Sequence, residues 1–339
     1  MNSCDLLGCG DIKRTVNEIG VNDLDEYDEL VDRSTEGTIF HKTWWLNNLK
    51  GYYCNTFKMK FYGVFENGNL IAGIPIPIHS KFGLNFIYNP KLTPYLGTVF
   101  IKRKFDKVVT EITWKKDINN EIANVLKSQG SCIYYSFTQG FSDLQPFKWV
   151  EFEIGVNYTY ILKLDELGKL LENMDKKRRN DITKNYKYNY RIELGDIETF
   201  IKLNSKTMQR QNHAFLGEDI WNQVYNESRT HRSCEIFSIY KNNEAVASLF
   251  LVWDNKRSYY LGGGIRNNSG GAMSLLMWEA IKYTKEKLNL KEFDFEGSSV
   301  HSIEFYFRKF GGEMKPIFYI SEASAKKFLI SYIYYKFRK

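Results

Sequence analysis

Residues 259–283, YYLGGGIRNNSGGAMSLLMWEAIKY, decide how the rest of the chain can fold. The segment begins with the β-forming residues Tyr259, Tyr260 and Leu261 and runs into three glycines. After a polar turn, apolar residues recur at positions 272, 276 and 280 and again at 273, 277 and 281, which is the spacing of a buried helix face. The segment therefore predicts a strand, a glycine-rich turn and a helix that begins near Ser269.

The glycine-rich turn is a candidate site for a phosphate or an acyl carbonyl. Glycine lets a ligand approach the backbone closely, and the first N–H groups of a helix have no partner inside the helix. The helix dipole also favours an anion there. The turn has neither a Walker lysine nor GxGxxG spacing, and a purely structural turn is the alternative. The residues predicted to bind the donor are Gly263, Gly264, Ser269, Gly270, Gly271 and Ala272.

The composition is that of an ordinary globular protein with room for two domains. Of the 339 residues, 43% are apolar and 26% are charged. The five cysteines are scattered without a CxxC pair, which predicts free thiols in a reducing cytoplasm. Without a signal peptide or a long apolar run, we expect a cytoplasmic protein. The five histidines lack HxxxH or HExxH spacing, so no metal site is expected.

Positive charge is concentrated in the second half of the chain. Residues 1–155 carry 17 Lys/Arg against 18 Asp/Glu, whereas residues 156–339 carry 30 against 22. Such a surface suits an anionic ligand, although solubility alone also explains it. The helical segment LGKLLENMDKKRRNDITKNYKYNY (167–190) holds the densest run. A solvated helix face is one interpretation of this run; the other is a phosphate clamp on the acceptor formed by Lys176, Arg178 and Arg179.

A long-range repeat indicates a duplicated domain. FENGNLIAG (65–73) aligns with YKNNEAVAS (240–248) at an offset of 175 residues, and each predicts a strand, a turn and a strand. An extended segment, a helix and a strand follow in both halves. The prediction is one domain at residues 1–155, a second at 156–325 that carries the donor site, and a basic-aromatic C-terminal helix at 326–339. That helix either packs on the second domain or lies weakly on an anionic membrane.

The order of these segments resembles a GNAT acyltransferase core, and two such cores in tandem resemble the FemABX peptidyltransferases of peptidoglycan synthesis. The resemblance covers about residues 20–320. The matching motifs are GTIFHKTWWL (37–46), TPYLG (93–97), QPFKW (145–149), KKRRNDITK (176–184), LGGG (261–264) with GGAMSLLMWEAI (270–281), FDFEGS (293–298) and FRKFGG (307–312). It implies an α/β fold with mixed sheet and two tandem GNAT-like domains. The long helical arm of the relatives that build glycine bridges has no counterpart in this sequence, which favours a compact relative.

The resemblance implies transfer of an acyl or aminoacyl group to an amine, or less often to a hydroxyl. The donor is then acyl-CoA or aminoacyl-tRNA, with no tightly bound cofactor. Because Asp294 and Glu296 alternate with phenylalanines in a predicted strand, one carboxylate is expected to face the cleft, and Tyr306 is the third catalytic candidate. Structural hydrogen bonding is the alternative for both carboxylates. Tyr95, in the TPYLG motif, is expected on the acceptor side together with the basic run.

Three functions remain open at this point. The first is an acyl- or aminoacyltransferase that acts on a nucleotide-linked, lipid-linked or otherwise phosphorylated envelope precursor, with tRNA as an optional donor partner. The second is an acyl-CoA-dependent N-acyltransferase for an amino sugar or a small metabolite. The third is a nucleic-acid-binding protein, which the basic second half prompts but which lacks an RRM, KH or helix-turn-helix signature.

Overall fold

The computed structural model describes residues 13–53, 56–81, 83–188, 190–267, 269, 271–297 and 300–322. Strands and helices alternate in both halves. The first half contains β1 (Arg14–Glu18), α1 (Leu24–Arg33), α2 (Thr43–Asn48), α3 (Lys50–Tyr53), β2 (Phe57–Glu66), β3 (Asn69–Lys81), β4 (Leu84–Tyr88), β5 (Val99–Phe100), α4 (Val108–Gln129), β6 (Cys132–Ser136) and α5 (Gln145–Trp149).

The second half repeats this order with more helices. Before it, β7 (Glu153–Lys163) closes the first half, and the second half contains α6 (Leu167–Asn173), α7 (Lys176–Tyr186), β8 (Arg191–Leu194), α8 (Ile197–Arg210), α9 (Glu218–Thr230), β9 (Cys234–Lys241), β10 (Glu244–Trp253), β11 (Arg257–Ile265), α10 (Ala272–Glu286), β12 (Glu292–Asp294), α11 (His301–Arg308) and β13 (Glu313–Glu322). Short 3-10 turns lie at Val21–Asp23 and Ile39–His41.

The two hairpins predicted from the repeat are present and use the same kind of turn. Asn67 and Gly68 have φ values of 54° and 85°, and Asn242 and Asn243 have values of 51° and 63°. Two successive left-handed residues form the turn that matches the twist of antiparallel strands. Asparagine and glycine adopt this conformation at low cost, and this explains why the local sequence predicted both hairpins.

One continuous mixed sheet runs through the molecule. Its order is β1-β2-β3-β4-β6-β13-β7-β12-β11-β10-β9-β8, and β5 pairs with β3 beside this path. The β4–β6 and β11–β12 pairs are parallel, and the other pairs along the path are antiparallel. Outward from the central β13–β7 pair, both sides of the sheet have the same succession of antiparallel and parallel pairs. The sheet therefore has the symmetry expected of a duplicated α/β unit.

The two halves exchange strands at the centre of this sheet. β7 ends the first half but pairs with β12 of the second half, where Leu162 faces Phe293. β13 ends the second half but pairs with β6, where Ile320 faces Tyr135. β7 and β13 also pair with each other from Glu313↔Ile161 to Ser321↔Glu153. The predicted domain boundary between residues 155 and 156 falls inside β7. Element order alone does not reveal the strand exchange.

A second connection between the halves runs through Asp254 and Lys256. Asp254 Oδ2 accepts hydrogen bonds from the Ile39 N–H at 3.0 Å and the Tyr259 hydroxyl at 2.6 Å. The Lys256 ammonium donates to the carbonyl of Ser34 at 2.6 Å and also to that of Gly37. Burial lowers the pKa of Lys256. Backbone carbonyls of the first half thus accept hydrogen bonds from a half-buried ammonium group of the second.

One hydrophobic core includes residues of both halves. Phe40 of the first half packs its ring against Tyr95 at 5.9 Å and against Tyr259 of the second half at 4.9 Å. Another core lies between β9–β12 and the helices α6, α7, α10 and α11. The halves therefore share apolar packing as well as strands.

Part of the predictions falls outside the described residues. The C-terminal helix predicted at residues 326–339, and with it the membrane contact, lies there. In the stretches that the structure does describe, no helix combines the length and the apolar character needed to cross a bilayer.

We expect residues 1–150 and residues 151–339 not to fold as separate units. When residues 1–150 are expressed alone, β6 loses β13 and presents an open sheet edge, which promotes aggregation. Size-exclusion chromatography and circular dichroism of residues 1–150 and 151–339, expressed separately and together, measure this. Co-expression should restore a folded complex, whereas two monodisperse, folded halves would contradict the exchange.

Candidate active site

A cavity of about 560 Å³, called cavity A here, opens where β11 and β12 separate. The two strands pair in parallel only from Arg257↔Glu292 to Tyr259↔Asp294, and β11 then continues to Ile265. β11, α8, α11 and the loop after β12 supply most of its wall. The lining residues used below are Tyr260, Gly263, Met208, Met273, Glu296, Gly297 and Tyr306.

The glycines of β11 have different neighbours. Gly263 lines cavity A, and a Cβ at this position would meet the Tyr260 hydroxyl at 2.4 Å and Met273 Cε at 3.1 Å. A Cβ on Gly264 would instead lie 2.3 Å from the backbone nitrogen of Asn204 on α8. Gly264 therefore allows close packing of strand and helix, and Gly263 is the predicted donor residue of this strand that lies at the cavity.

The turn before α10 is covered by α7. Gly271 is the N-cap of α10 with a φ of 87°, and a Cβ there would lie 2.8 Å from Nδ2 of Asn185. The Ser269 hydroxyl donates to the Arg266 carbonyl at 2.8 Å, and the Ala272 N–H donates to the Ser269 carbonyl at 3.1 Å. These contacts give the turn a structural role, and none of these three residues lines cavity A. Gly270 lies outside the described residues, and donor binding at this turn stays a prediction.

Asp294, the last residue of β12, is fully buried and joins three segments. Its Oδ1 accepts hydrogen bonds from the Thr159 hydroxyl at 2.7 Å, the Glu296 N–H at 2.8 Å and the Tyr95 hydroxyl at 3.2 Å. Burial raises the pKa of this carboxyl, and the positive charge of Arg257 opposes the rise. With this set of partners, Asp294 can orient the loop that follows it.

Glu296 is the second carboxyl of the FDFEGS segment and lies where cavity A meets a second cavity, described below. It has a left-handed φ of 58°, uncommon for a residue with a side chain. Its Oε1 is buried and has no hydrogen-bond partner among the described residues. Burial, and then the charge of Asp294, raise the pKa of Glu296 well above its ordinary value. A strained backbone and an unpaired carboxyl with a raised pKa are typical of a functional group.

Glu296 and Gly297 line a second cavity as well, of about 570 Å³, called cavity B here. Gly297 has a φ of 65°, and a Cβ there would lie 2.1 Å from the carbonyl oxygen of Tyr158 on β7. This close approach requires glycine. The remainder of the wall comes from β6, β7, β13, α11 and the TPYLG loop: Pro94, Tyr95, Tyr134, Ser136, Val156, Asn157, Tyr158, Tyr160, Glu304, Met314 and Ile317. Cavities A and B therefore meet at residues 296–297.

Tyr306 lines cavity A from α11, and its ring holds Arg178 in place. The guanidinium carbon of Arg178 lies 4.0 Å from the centroid of the Tyr306 ring and 4.9 Å from that of Phe310. Arg178 also donates to the Ser274 hydroxyl of α10 and is only 7% exposed. Burial raises the pKa of Tyr306. Arg178 thus ties α7 to α10 and α11.

The other predicted phosphate ligands lie along α7. Arg179 donates to the carbonyl of Glu172, and Lys176 is exposed at the start of the helix. Neither they nor Arg178 line cavity A or B, so the structure does not bring the basic run to the carboxylates. Tyr95, the fourth predicted acceptor residue, does line cavity B but is buried, with its hydroxyl on Asp294. Phosphate binding by these residues stays a prediction.

Some residues of the site could not be singled out from the sequence. Thr159 donates to Asp294 from 135 positions away, and the alternation of β7 does not mark it. Tyr134 and Tyr158 line cavity B and are exposed on central strands. The order of elements in the sequence does not show which aromatic residues of the central strands are exposed. Across the described part of the chain, no cluster of His, Cys, Asp and Glu is arranged to hold a metal ion.

Comparisons with known proteins agree with this geometry. Residues 169–307 match the family model of the acetyltransferase (GNAT) domain. The crystal structure of FemX superposes with a TM-score of 0.67 at 13% identity, covering 89% of this chain and 96% of FemX.

The chain has a FemAB-like tandem GNAT fold. The GNAT domain match lies in the second half of the chain, where β11 and β12 border cavity A.

Two further solved structures match this chain over most of its length. One is the C-terminal domain of a putative lysylphosphatidylglycerol synthetase from Agrobacterium fabrum, with a TM-score of 0.58, 11% identity and coverage of 91% and 94% of the two chains. The other is a tandem GNAT protein from the clavulanic acid biosynthesis pathway, with a TM-score of 0.54, 8% identity and coverage of 91% and 98%. The curated proteins contain no sequence match.

We expect Asp294 to be a major contributor to stability. Asp294→Ala leaves the Thr159 and Tyr95 hydroxyls and the Glu296 N–H without their buried acceptor, at a cost of about 2–4 kcal/mol. Urea unfolding measures the change. Asp294→Asn keeps one acceptor oxygen and should lose roughly half as much; equal midpoints for wild type and both variants would contradict the network.

Proposed function

We propose that the protein forms an amide by transferring an acyl or aminoacyl group to an amine of a cell-envelope precursor. The observation that carries the proposal is the junction at Glu296, where a carboxyl with one buried, unpaired oxygen borders two cavities. A two-substrate transfer needs a place for each substrate and a proton acceptor between them. Cavity A, formed by the separation of β11 and β12, is assigned to the acyl donor, and cavity B to the acceptor.

In the proposed reaction, the amine nitrogen attacks the acyl carbonyl carbon, and a C–N bond forms. The C–S bond of an acyl-CoA, or the C–O ester bond of an aminoacyl-tRNA, breaks. An amine that arrives as an ammonium ion first gives one proton to the Glu296 carboxylate, which releases it to water. The second N–H proton leaves with the sulfur or oxygen of the donor. The products are an amide and the free thiol or hydroxyl of the donor.

The likeness to FemX and to a lysylphosphatidylglycerol synthetase domain supports an envelope precursor as acceptor, in agreement with the FemABX resemblance of the motifs. Acyl-CoA-dependent N-acylation of an amino sugar or small metabolite is the second candidate. The match of residues 169–307 to the acetyltransferase (GNAT) domain favours it. The two candidates share the roles given to both cavities and to Glu296, and they differ in the donor.

The donor is tested by offering the purified protein acyl-CoA or aminoacyl-tRNA, each with an amino sugar and with a nucleotide-linked envelope precursor. Mass spectrometry detects the amide product. Transfer from aminoacyl-tRNA supports the first function, and transfer from acyl-CoA alone supports the second. If neither donor yields an amide, and an ester forms instead, the acceptor is a hydroxyl and the proposal of an amine is wrong.

Glu296→Gln should lower kcat/KM by about 100- to 10,000-fold, the usual contribution of a general base. Because burial and Asp294 raise the pKa of Glu296, the basic form appears only as pH rises through that raised value. Wild-type kcat/KM should therefore increase with pH, and the variant should lack this increase. The charged and titratable groups that interact electrostatically with Glu296 or with Asp294 beside it are Asp294, Arg257, Tyr95 and Tyr260.

A matched control is Glu286→Gln, at an exposed position at the end of α10. It should keep both the rate and the pH profile. Folded Glu296 holds its proton above the ordinary pKa of 4.5, so the folded state binds more protons than the unfolded state there. Wild-type stability should therefore fall relative to Glu296→Gln as pH rises from that value. A pH-independent difference in melting temperature would contradict the raised pKa.

A further inference from the structure

Cavity B has an apolar, aromatic wall on the central strands of the sheet. Tyr134 of β6 and Tyr158 of β7 are 46% and 48% exposed, and Val156 and Met314 are 41% and 55% exposed. All four line the cavity. Soluble proteins rarely leave a contiguous apolar patch open in the middle of a sheet unless something binds there.

The positions of the tyrosines are fixed by their neighbours. The Tyr134 ring packs on that of Tyr319 at a centroid distance of 4.7 Å, and the Tyr134 hydroxyl accepts from Asn157 Nδ2 at 3.4 Å. Tyr319 lies over Gly155, where a Cβ would come within 2.1 Å of its ring. The Tyr160 hydroxyl donates to Glu304 Oε1 at 2.5 Å. The wall is therefore a built surface of packed rings and not a set of free side chains.

The charged residues of cavity B are acidic. Glu296 and Glu304 line it, and its described lining residues include neither lysine nor arginine. Glu304 lies 3.7 Å from Arg308, which is not part of the wall, whereas Glu296 Oε1 has no partner among the described residues. Among the described residues of the wall, a phosphate in this cavity would meet two carboxyl groups and no cation.

We propose that cavity B binds the acceptor as a protonated amine on an uncharged body, with the ammonium group at Glu296 and the body against Tyr134 and Tyr158. The inference rests on the proposed function and adds the class of acceptor to it. Tyrosine rings attract cations through their faces, and they also pack against the flat or apolar parts of a ligand. An acceptor whose phosphate lies next to its amine is excluded from the cavity.

This assignment separates the amine of the acceptor from any phosphate it carries. The basic run on α7 lines neither cavity, so a phosphate held there would belong to a distant part of the precursor. The Glu296–Gly297 segment forms the wall shared with cavity A, and an amine at Glu296 is therefore next to the proposed position of the acyl group.

Methionine methyl groups report on the two cavities separately. Met314 lines cavity B, and Met208 and Met273 line cavity A. The full chain, labelled with ¹³C at the methionine methyl groups and assigned with Met→Leu variants, is titrated with phenethylamine, phenethyl alcohol and phosphoethanolamine. Phenethylamine should shift the Met314 signal and bind more tightly than phenethyl alcohol, which lacks the ammonium group. Phosphoethanolamine should leave Met314 unchanged.

A charge placed in the wall tests the same inference. Tyr158→Lys should weaken phenethylamine binding at least about five-fold through repulsion of the ammonium group. Tyr134→Lys serves as the second variant if the first does not fold. Tyr188→Lys is the matched control at an exposed tyrosine, 42% exposed, that lines neither cavity, and it should bind phenethylamine like wild type.

The outcomes distinguish this inference from the proposed function. Shifts confined to Met208 and Met273, equal binding of phosphoethanolamine at Met314, or no shift of any methionine would overturn the assignment of cavity B, even if amide transfer is observed. A phenethylamine-dependent shift of Met314 without amide transfer from either donor would support the cation site and contradict the transferase reaction proposed for it.

Discussion

The antiparallel pairing of β7 with β13 at the centre of the sheet is the interaction on which the rest of the structure depends. Each of these strands also pairs with a strand of the other half: β7 with β12, and β13 with β6. Backbone hydrogen bonds therefore cross between the halves at three successive strand pairs. The exchange fixes the position of β12 relative to β7, and this in turn fixes both walls of the Glu296 junction.

Asp294 links the exchanged strands to the loop that borders both cavities. Its carboxylate receives the Thr159 hydroxyl from β7, the Tyr95 hydroxyl from the first half and the N–H of Glu296. The Glu296 bond holds the left-handed turn at 296–297, and Gly297 allows this turn to lie against the β7 backbone. Because Thr159 and Tyr95 both come from the first half, the loop between the two cavities keeps its shape only when both halves are in place.

Local signals in the sequence were sufficient for much of the fold. The Asn-Gly and Asn-Asn turns, the apolar spacing of α10 and the alternation around Asp294 each depend on neighbours in the chain, and the predicted hairpins, helix and α/β class are confirmed. The exchange of β7 and β13, and the approach of Thr159 to Asp294, depend on contacts between distant segments. A single sequence contains no local pattern for such contacts.

The candidate site divides in the same way. Glu296 was predicted from the alternation of residues 293–296 and Tyr306 from its place shortly after this strand, and both line cavity A. Gly264 and Gly271 were predicted as ligand-binding residues from the glycine-rich turn, and Arg178 from the basic run. Each also has a packing contact, with the α8 backbone, Asn185 and the Tyr306 ring, respectively, and ligand binding by them stays a prediction. Glycine and arginine are used both for close packing and for binding anions, so their presence in a segment does not distinguish the two roles.

The raised pKa of Glu296 has a consequence for the order of events. In the empty site, burial and the charge of Asp294 favour the protonated carboxyl, which is a poor base. A positively charged amine beside Glu296 would offset the repulsion from Asp294 and favour the ionised form. The base would then be generated mainly when an acceptor is bound. A carboxyl that stays protonated in the absence of acceptor does not activate water, and an acyl donor in cavity A would therefore be protected from hydrolysis until its amine partner arrives.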